Sequence, residues 1–332
     1  MFVINPPKSM KQLVTADIGG THARFAIAAV ENRQVVSIGN EAVFKTADFV
    51  SFERAWNTFE DRVGNKLPSD LAVAVAAPVT DGDFSLTNSH WHFRRDQIAS
   101  QLNLTSLLLI NDFAAIAHAM SAIDEGQLLH VAGPNKPLPP RGVITIAGPG
   151  TGLGAAMLAR DASGAHRVIE TEGGHIDFAP LDNLEDGIVA ELRKKFGRVS
   201  AERVVSGPGL LNIYEVLAKL EGRPIITLDE PALWTLALER SDQLAAVALD
   251  RLCMCFGAVA GDLALAHGAS AVVIAGGIGR RLADRLGNSG FAKRFVAKGR
   301  FERRLAALPV KLLMLPQPGL LGAAAAFAAQ FH

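Results

Sequence analysis

Short apolar segments that run into glycine are the clearest feature of the hydrophobic pattern along the chain. Leu13 to Ile18 has the length of a strand and stops at Gly19 and Gly20, and Ala23 to Val30 resumes the apolar pattern. This arrangement predicts a β-hairpin with a glycine tip. Further elements of the first part of the chain are predicted as strands at Val35 to Ile38, Leu71 to Ala76, Phe84 to Thr87 and Ser106 to Ile110, and as a helix from Phe113.

The same pattern returns about 130 residues later. Gly142 to Ala147 is apolar, runs into the glycine-rich segment Gly148 to Gly154, and is followed by a second apolar run, Ala155 to Ala159. Both segments read as strand, glycine tip with a threonine, and return strand. We therefore predict a duplicated α/β unit with two glycine tips.

The remaining pattern is mainly helical. Predicted helices are Leu184 to Phe196, Ala232 to Leu265, Arg280 to Leu286 and Gly319 to Ala329. Val272 to Ala275 is predicted as a buried strand that enters Gly276 and Gly277. Pro134 to Pro140 contains four prolines, which exclude a helix or a central strand, so we interpret it as a connector between two lobes.

Composition places the chain among globular proteins that act on small molecules. With 332 residues and 49% hydrophobic residues it can bury a large core, and its length favours two domains around a cleft. Lys+Arg and Asp+Glu both number 33, so no net charge attracts nucleic acid or an anionic membrane. No uninterrupted apolar span or secretory signal is predicted, and the two cysteines suit a reducing compartment, so we expect a cytoplasmic protein.

The first glycine tip has the composition of a phosphate-binding turn. Glycines let the backbone approach phosphate closely and direct several N–H groups towards it. Asp17 would repel bare phosphate, so its presence suggests a Mg²⁺ ion held through water between the two charges. An ordinary tight hairpin with a capping aspartate fits this motif alone equally well. The second tip favours nucleotide binding.

The second tip also fits a dinucleotide fingerprint, Gly150-x-Gly152-x-x-Ala155, with Glu170 at the distance of a ribose-binding acid. That fingerprint requires a helix directly after the glycines. Ala155 to Arg160 is only a short apolar run before the turn that starts at Asp161, so strand, turn and strand is the better fit. A P-loop motif is absent from the sequence.

Three further places carry candidate chemistry. Asn111 and Asp112 stand where a predicted strand ends and a helix begins, so Asp112 is a candidate base, although an aspartate that only caps the helix fits the spacing too. Glu172 and His175 flank two glycines and suit sugar hydroxyls; the scattered histidines do not have zinc-ligand spacing. Glu202 by itself is equally consistent with a surface residue paired with its neighbour Arg203.

These residues occur in an order that closely resembles bacterial glucokinases outside the ROK group, over nearly the whole chain. The motifs are Asp-Ile-Gly-Gly-Thr-x-Ala-Arg, Thr-Asn-x-x-Trp, Ile-Asn-Asp-Phe, Gly-x-Gly-Thr-Gly-Leu-Gly, Glu-Gly-Gly-His-x-Asp-Phe-Ala-Pro and Ser-Ala-Glu-Arg-Val. The cysteine-rich zinc motif of the ROK proteins is absent.

The resemblance implies a two-lobed, actin-like (ribonuclease H-like) α/β ATPase fold around a central cleft. It implies a small domain of residues 10–122 plus 317–332, a large domain of residues 123–316, and a homodimer. The expected reaction is ATP-dependent and Mg²⁺-dependent phosphorylation of D-glucose, with Asp112 as the general base. The implied glucose contacts are Asn88, Asn111, Asp112, Glu172, His175 and Glu202. The implied nucleotide contacts are Ala16, Asp17, Ile18, Gly19, Gly20, Thr21, Gly150, Thr151, Gly152, Gly276 and Gly277.

Three alternatives remain from the sequence: a kinase of a related hexose, an NAD(P)-dependent oxidoreductase, and a non-catalytic sugar sensor of the same fold. The oxidoreductase requires a helix after Gly152. The sensor would bind glucose without turnover, and Asp112 together with both phosphate turns argues against it.

Overall fold

The computed structural model describes residues 10–76, 83–85, 91–224 and 229–331. The strands in this part of the chain are β1 Lys11–Ile18, β2 His22–Glu31, β3 Gln34–Lys45, β4 Asp70–Val75, β5 Asp83–Ser85, β6 His92–Arg94, β7 Ser106–Asn111, β8 Leu128–Ala132, β9 Gly142–Pro149, β10 Leu153–Arg160, β11 His166–Thr171, β12 Ala271–Ile274 and β13 Val310–Leu313. The helices are α1 Phe52–Val63, α2 Arg95–Gln101, α3 Asp112–Ala119, α4 Asn183–Phe196, α5 Ala201–Val204, α6 Gly207–Leu220, α7 Glu230–Glu239, α8 Gln243–Ala266, α9 Gly276–Arg281, α10 Ala283–Leu286, α11 Phe291–Val296, α12 Glu302–Ala306 and α13 Pro318–Phe331.

The chain divides into two units. Unit 1 comprises Met1–Ile123 and Leu315–His332, and unit 2 comprises Asp124–Met314. The boundaries expected from the resemblance, at 122/123 and 316/317, lie within two residues of these positions. The final helix, α13, therefore packs with the first part of the chain.

The two units contain the same strand order. In unit 1 the main sheet runs β3-β2-β1-β4-β7, with β1 antiparallel to β2 and parallel to β4. In unit 2 the sheet runs β11-β10-β9-β12-β13-β8, and β9 is antiparallel to β10 and parallel to β12. Strand β8 is an additional antiparallel edge. Both predicted glycine hairpins and the duplicated α/β unit are confirmed.

Helices cover both faces of the unit 1 sheet. On one face, α1 packs its aromatic side chains against Phe25 of β2, with ring centroids 5.5 Å away for Phe52 and 5.4 Å for Phe59. On the other face, the alanine-rich helix α13 packs against Leu13 of β1 and Ala72 of β4. Burial on both faces explains why the central strands read as continuous apolar runs rather than as alternating patterns.

Helix α8 is long and apolar enough to cross a membrane, but 78% of its most apolar stretch is buried inside the protein. Its buried side chains, including Leu252 and Phe256, belong to the core of unit 2. We therefore interpret α8 as a core helix.

The proline-rich segment was predicted to connect two lobes, and this prediction is wrong. Residues 134–140 lie between β8 and β9, which both belong to the sheet of unit 2. The segment is a loop within one unit, because β8 precedes the prolines and pairs with β13.

Two helix predictions also need correction. The helical region expected from Ala232 to Leu265 consists of two helices, because Arg240 adopts a left-handed conformation at the end of α7 and Asp242 caps α8 by accepting a hydrogen bond from Ala245 N at 2.7 Å. The helix expected from Arg280 to Leu286 corresponds to two short helices, the end of α9, which begins at Gly276 and ends at Arg281, and α10 from Ala283 to Leu286. Strand β3 extends well beyond the predicted segment, and Thr87, predicted to end a strand, lies outside the described residues.

Helices α3 and α13 meet at a backbone contact. A Cβ at Gly322 would lie 1.7 Å from the carbonyl oxygen of Ala115, so only glycine fits between the two helices at this point. Gly322 therefore fixes the position of α3, whose first residue is Asp112.

We expect Gly322→Ala to lower the free energy of unfolding by about 1–3 kcal/mol, because the added methyl group meets a backbone atom that cannot move aside cheaply. Urea unfolding followed by circular dichroism measures the change. Gly39→Ala is the matched control in unit 1, since a Cβ there meets nothing within 4 Å. Equal unfolding midpoints for the two variants would contradict this account of the helix contact.

Candidate active site

The first glycine tip, between β1 and β2, is closed by a hydrogen bond from Gly19 N to His22 O at 2.9 Å. Thr46 holds the tip from the side: its Oγ1 donates to Gly20 O at 2.7 Å and its N donates to Thr21 O at 3.0 Å. These bonds use the carbonyl groups of the turn. No described group accepts a hydrogen bond from the backbone N–H of Gly20 or Thr21, so both remain suited to an anion.

Asp17 lies at the base of this tip, and Arg24 is the cationic side chain that faces it. Its Oδ2 lies 3.3 Å from Nη1 of Arg24, which faces it across the hairpin. Burial raises the pKa of Asp17, although the nearby Arg24 opposes that change. Gly319 lies against the same carboxylate, since a Cβ there would be 2.7 Å from the Asp17 Cγ.

A desolvated carboxylate with one weakly placed cationic partner suits a divalent cation. Among the described residues, no three His, Cys, Asp or Glu side chains are grouped as a set of metal ligands. The residues therefore fit a Mg²⁺ ion that takes most of its ligands from water and phosphate oxygens, with Asp17 as an acidic neighbour.

The second tip, between β9 and β10, is closed by Gly150 N donating to Gly152 O at 2.8 Å. Gly207, which lies outside the hairpin at the start of α6, donates its N–H to Gly150 O at 2.8 Å and so holds the tip in place. The described residues offer no acceptor to the N–H groups of Thr151 and Gly152. Like the first tip, this turn therefore presents backbone donors in a form that suits phosphate.

The start of α9 lies directly against the second hairpin. A Cβ at Gly148 would be 1.9 Å from the carbonyl oxygen of Ala275. Gly276 has φ +87°, and a Cβ there would be 2.9 Å from Pro149 O. Glycine is required at 276 for both reasons. Gly277 has open space where a Cβ would stand, so Gly276 and Gly277 extend the candidate nucleotide surface of unit 2.

Asn111 and Asp112 end β7 and begin α3. Asn111 is the residue that caps the helix: its Oδ1 accepts hydrogen bonds from Phe113 N at 2.8 Å and from Ala114 N at 3.2 Å. Asp112 is the first helical residue, and its Oδ1 also accepts from Phe113 N at 2.9 Å. The alternative that Asp112 only serves as the cap is therefore wrong.

Glu172 and His175 form an exposed acid and imidazole pair in unit 2. The Glu172 Oε2 lies 3.9 Å from the His175 Nε2, and more than half of each side chain is accessible. His175 N donates to Glu172 O at 2.9 Å, which closes the turn between them. The pair offers an acceptor and a donor or acceptor side by side, as sugar hydroxyls require.

Glu202, the first charged residue of α5, is not a surface partner of Arg203. Its Oε2 accepts a hydrogen bond from Leu153 N at 3.0 Å, directly after the second tip. The structure thus brings Glu202 to the second tip, within the same unit as Glu172 and His175.

The predicted residues fall into two groups. Unit 1 contains the first tip, Asn111 and Asp112, and unit 2 contains the second tip, Gly276, Gly277, Glu172, His175 and Glu202. The side chains of Ala16 and Ile18 are fully buried, which limits them to backbone contacts with a ligand. Asn88 lies outside the described residues.

The glucokinase family profile matches residues 14–330 of the chain. The chain belongs to the glucokinase family. It is 55% identical over 320 residues to the glucokinase of Zymomonas mobilis, a similarity that covers 96% of this chain and 98% of the relative. The resemblance stated from the sequence motifs is confirmed.

Solved structures of the family and of its relatives have the same fold. A glucokinase from an Antarctic psychrotroph superimposes with a TM-score of 0.81 at 36% identity, over 96% of this chain and 99% of that one. A ROK-family glucokinase from Streptomyces griseus, solved with glucose and AMPPNP, gives 0.63 at 19% identity, over 94% and 98%. The actin-like sugar kinase fold expected from the sequence is confirmed.

The dinucleotide alternative fails on the geometry of the second tip. After the glycines, Leu153–Arg160 forms strand β10, which pairs with β9 and β11. A dinucleotide-binding fingerprint requires a helix at this position. Glu170 lies on β11 as an ordinary strand residue.

Sequence reasoning missed several residues around the two tips. The contact of Arg24 with Asp17 could have been predicted, because the predicted hairpin places these two residues opposite each other. Gly319 and Gly207 could not be found from a local pattern, since their contacts join segments that are distant in the chain. Nothing local to residue 153 indicates that its N–H binds Glu202.

We expect Asp17→Asn to raise the free energy of unfolding of the ligand-free protein by about 0.5–2 kcal/mol at neutral pH, because it removes a largely desolvated charge at a candidate functional site. With a raised pKa, the folded state binds the Asp17 proton more readily than the unfolded state, so wild-type stability falls as pH rises between the two pKa values. Urea unfolding in the presence of a chelator measures the change, and the advantage of the variant should shrink as the pH is lowered.

Asp48→Asn is the control for this experiment, because Asp48 is an exposed aspartate in unit 1 and its change should stay within about 0.5 kcal/mol. A variant at Asp17 that is less stable than the wild type at neutral pH would mean that the attraction of Arg24 outweighs burial.

Proposed function

We propose that this chain is a glucokinase that transfers the γ-phosphoryl group of ATP to the 6-hydroxyl of D-glucose. The observation that carries the proposal is the 55% identity, over nearly the full length, to a glucokinase. The two glycine tips and the acidic residue at the end of β7 support it independently, since they supply the parts that phosphoryl transfer needs.

The glycine tips would bind the phosphates of ATP. The N–H groups of Gly20 and Thr21 in unit 1, and of Thr151 and Gly152 in unit 2, are the donors for this role. The related ROK glucokinase solved with AMPPNP supports ATP as the donor. Mg²⁺ would neutralise charge on the phosphates, and Asp17 would hold it through water. Gly276 and Gly277 would contact the adenosine.

Glu172, His175 and Glu202 would bind the sugar hydroxyls in unit 2, and Asn111 and Asp112 would bind them in unit 1. Capping engages the Oδ1 of Asn111, so its sugar contact would come from the amide nitrogen. Asn88 completes the set expected from the resemblance. A kinase of a related hexose would use the same groups, and a panel of hexoses in the kinetic assay distinguishes the two functions.

Asp112 would act as the general base. Its carboxylate accepts the proton of the 6-hydroxyl while that oxygen forms a bond to the γ-phosphorus, and the bond from the γ-phosphorus to the bridging oxygen of ADP breaks. Aligning these groups and excluding water is the main contribution that a protein makes to such a reaction.

Three wider properties stay predictions. Glycolysis and a homodimeric state rest on the resemblance. The cytoplasmic location has support from Cys253 and Cys255, which are both free and buried, as a reducing compartment allows. The domain limits of 10–122 with 317–332, and 123–316, also stay predictions.

Asp112→Asn should lower kcat by roughly 10²–10⁴ while glucose still binds, because the amide cannot accept the proton. A coupled assay of glucose 6-phosphate formation measures kcat. Stability should not change, since capping belongs to Asn111, whereas Asn111→Ala should cost about 0.5–2 kcal/mol of unfolding free energy. An unchanged kcat in Asp112→Asn would remove Asp112 from the reaction.

Glu172→Gln and His175→Ala should each raise the KM for glucose. His175→Ala should raise it by about 10²-fold or more, because it leaves a sugar hydroxyl without its partner, and Glu172→Gln should raise it because a charge-assisted hydrogen bond becomes a neutral one. The KM for ATP should change little. Glu239→Gln, an exposed glutamate at the end of α7, is the control and should match the wild type. If only the KM for ATP rises, this division between sugar and nucleotide residues is incorrect.

A further inference from the structure

Leu153 links the second glycine tip to the residues assigned to the sugar. Its N–H donates to Glu202 Oε2 at 3.0 Å. Its carbonyl oxygen lies against Gly174, where a Cβ would come within 1.9 Å. Gly174 stands between Glu172 and His175. Both backbone groups of Leu153 therefore contact segments that carry proposed sugar ligands, Glu202 on α5 and the segment from Glu172 to His175, here called the sugar segment.

Gly152 gives the Glu202 carboxylate its room. A Cβ at Gly152 would lie 2.3 Å from Glu202 Oε2 and 3.1 Å from its Cδ. The backbone of Gly152 is not in the left-handed region, unlike that of Gly276, so conformational freedom does not account for the glycine. Glycine is needed at position 152 because a side chain there would occupy the space of the Glu202 carboxylate.

The helix that carries Glu202 is fixed to the sugar segment by main-chain hydrogen bonds. Ala201 N donates to Ile176 O at 2.8 Å, and Phe178 N donates to Val199 O at 3.1 Å. A shift of the segment after His175 would therefore move α5 with it. Glu202 is therefore held at the second tip by its own hydrogen bond to Leu153 and by the main-chain bond of the preceding residue, Ala201, to Ile176.

From these contacts we propose that Glu202 is a positioning residue for the second phosphate turn as well as a sugar ligand, so that glucose binding sets the affinity for the nucleotide. The inference rests on the proposed function. By accepting from Leu153 N–H, Glu202 keeps the turn in the shape that leaves the Thr151 and Gly152 N–H groups for phosphate.

The charge of Glu202 supplies the coupling. A carboxylate beside an anion-binding turn repels phosphate, and this cost is highest when nothing else neutralises it. A sugar hydroxyl that donates to Glu202 would disperse its charge. Glucose should therefore raise the affinity for nucleotide, and nucleotide should raise the affinity for glucose by the same factor.

Two substitutions separate the acceptor from the charge. Glu202→Ala removes both, and Glu202→Gln removes the charge while keeping an oxygen that accepts from Leu153 N–H. Calorimetric titration with Mg·AMPPNP, first without glucose and then with saturating glucose, gives the Kd in each case. Thermal unfolding checks that each variant is folded, and Glu202→Met replaces Glu202→Ala if the smaller side chain prevents folding.

Without glucose, Glu202→Ala should bind Mg·AMPPNP roughly tenfold or more weakly than the wild type, because the turn loses a charge-assisted hydrogen bond. Glu202→Gln should bind it at least as tightly as the wild type. Glucose should tighten AMPPNP binding in the wild type and in neither variant.

An unchanged affinity of Glu202→Ala in the absence of glucose would overturn the inference, and so would equal losses in the Ala and Gln variants. A wild type whose affinity for AMPPNP is the same with and without glucose would overturn the coupling. If the wild type binds no AMPPNP under either condition, the proposed function itself fails.

Discussion

Close contact between backbones, which only glycine allows, is the constraint on which the candidate site depends. Gly322 lets α13 lie on the carbonyl oxygen of Ala115, and this contact sets the position of α3 and of its first residue, Asp112. Gly148 lets the second hairpin lie on Ala275 in the same way. Because a backbone atom cannot swing aside like a side chain, each contact fixes a distance within the unit that contains it.

Charge is the second constraint, and it acts against stability. Asp17 is a buried carboxylate whose pKa is raised because desolvation outweighs the attraction of Arg24, and Glu202 carries its charge beside a turn that suits phosphate. Arg24 alone does not compensate the desolvation of Asp17. Groups of this kind are expected where ligands complete the electrostatics, and they are a common reason that functional sites are not the most stable solution for a fold.

The two units share one strand order but differ in the residues at their tips and strand ends. Both hairpins end in glycines, but β1 carries Asp17 at its tip where β9 carries Gly148 and Pro149. Strand β7 ends at Asn111 and leads into a helix that begins with the candidate base, whereas the equivalent β13 ends at Leu313. In the proposed reaction, unit 1 supplies the base, and unit 2 supplies Glu172, His175 and Glu202 as sugar contacts.

The sequence by itself determined both hairpins, the duplicated plan and the family, because glycine tips and apolar strands are local patterns that can be read along the chain. It left Asp112 open between cap and base, and Glu202 open between surface and site. The cap belongs to Asn111 because the helix begins at Asp112, one residue before the predicted start. Only tertiary structure brought Glu202 to Leu153, 49 residues away in the chain. The physical reason is that hydrogen bonds and glycine contacts between distant segments depend on how helices and strands pack, which no local pattern encodes.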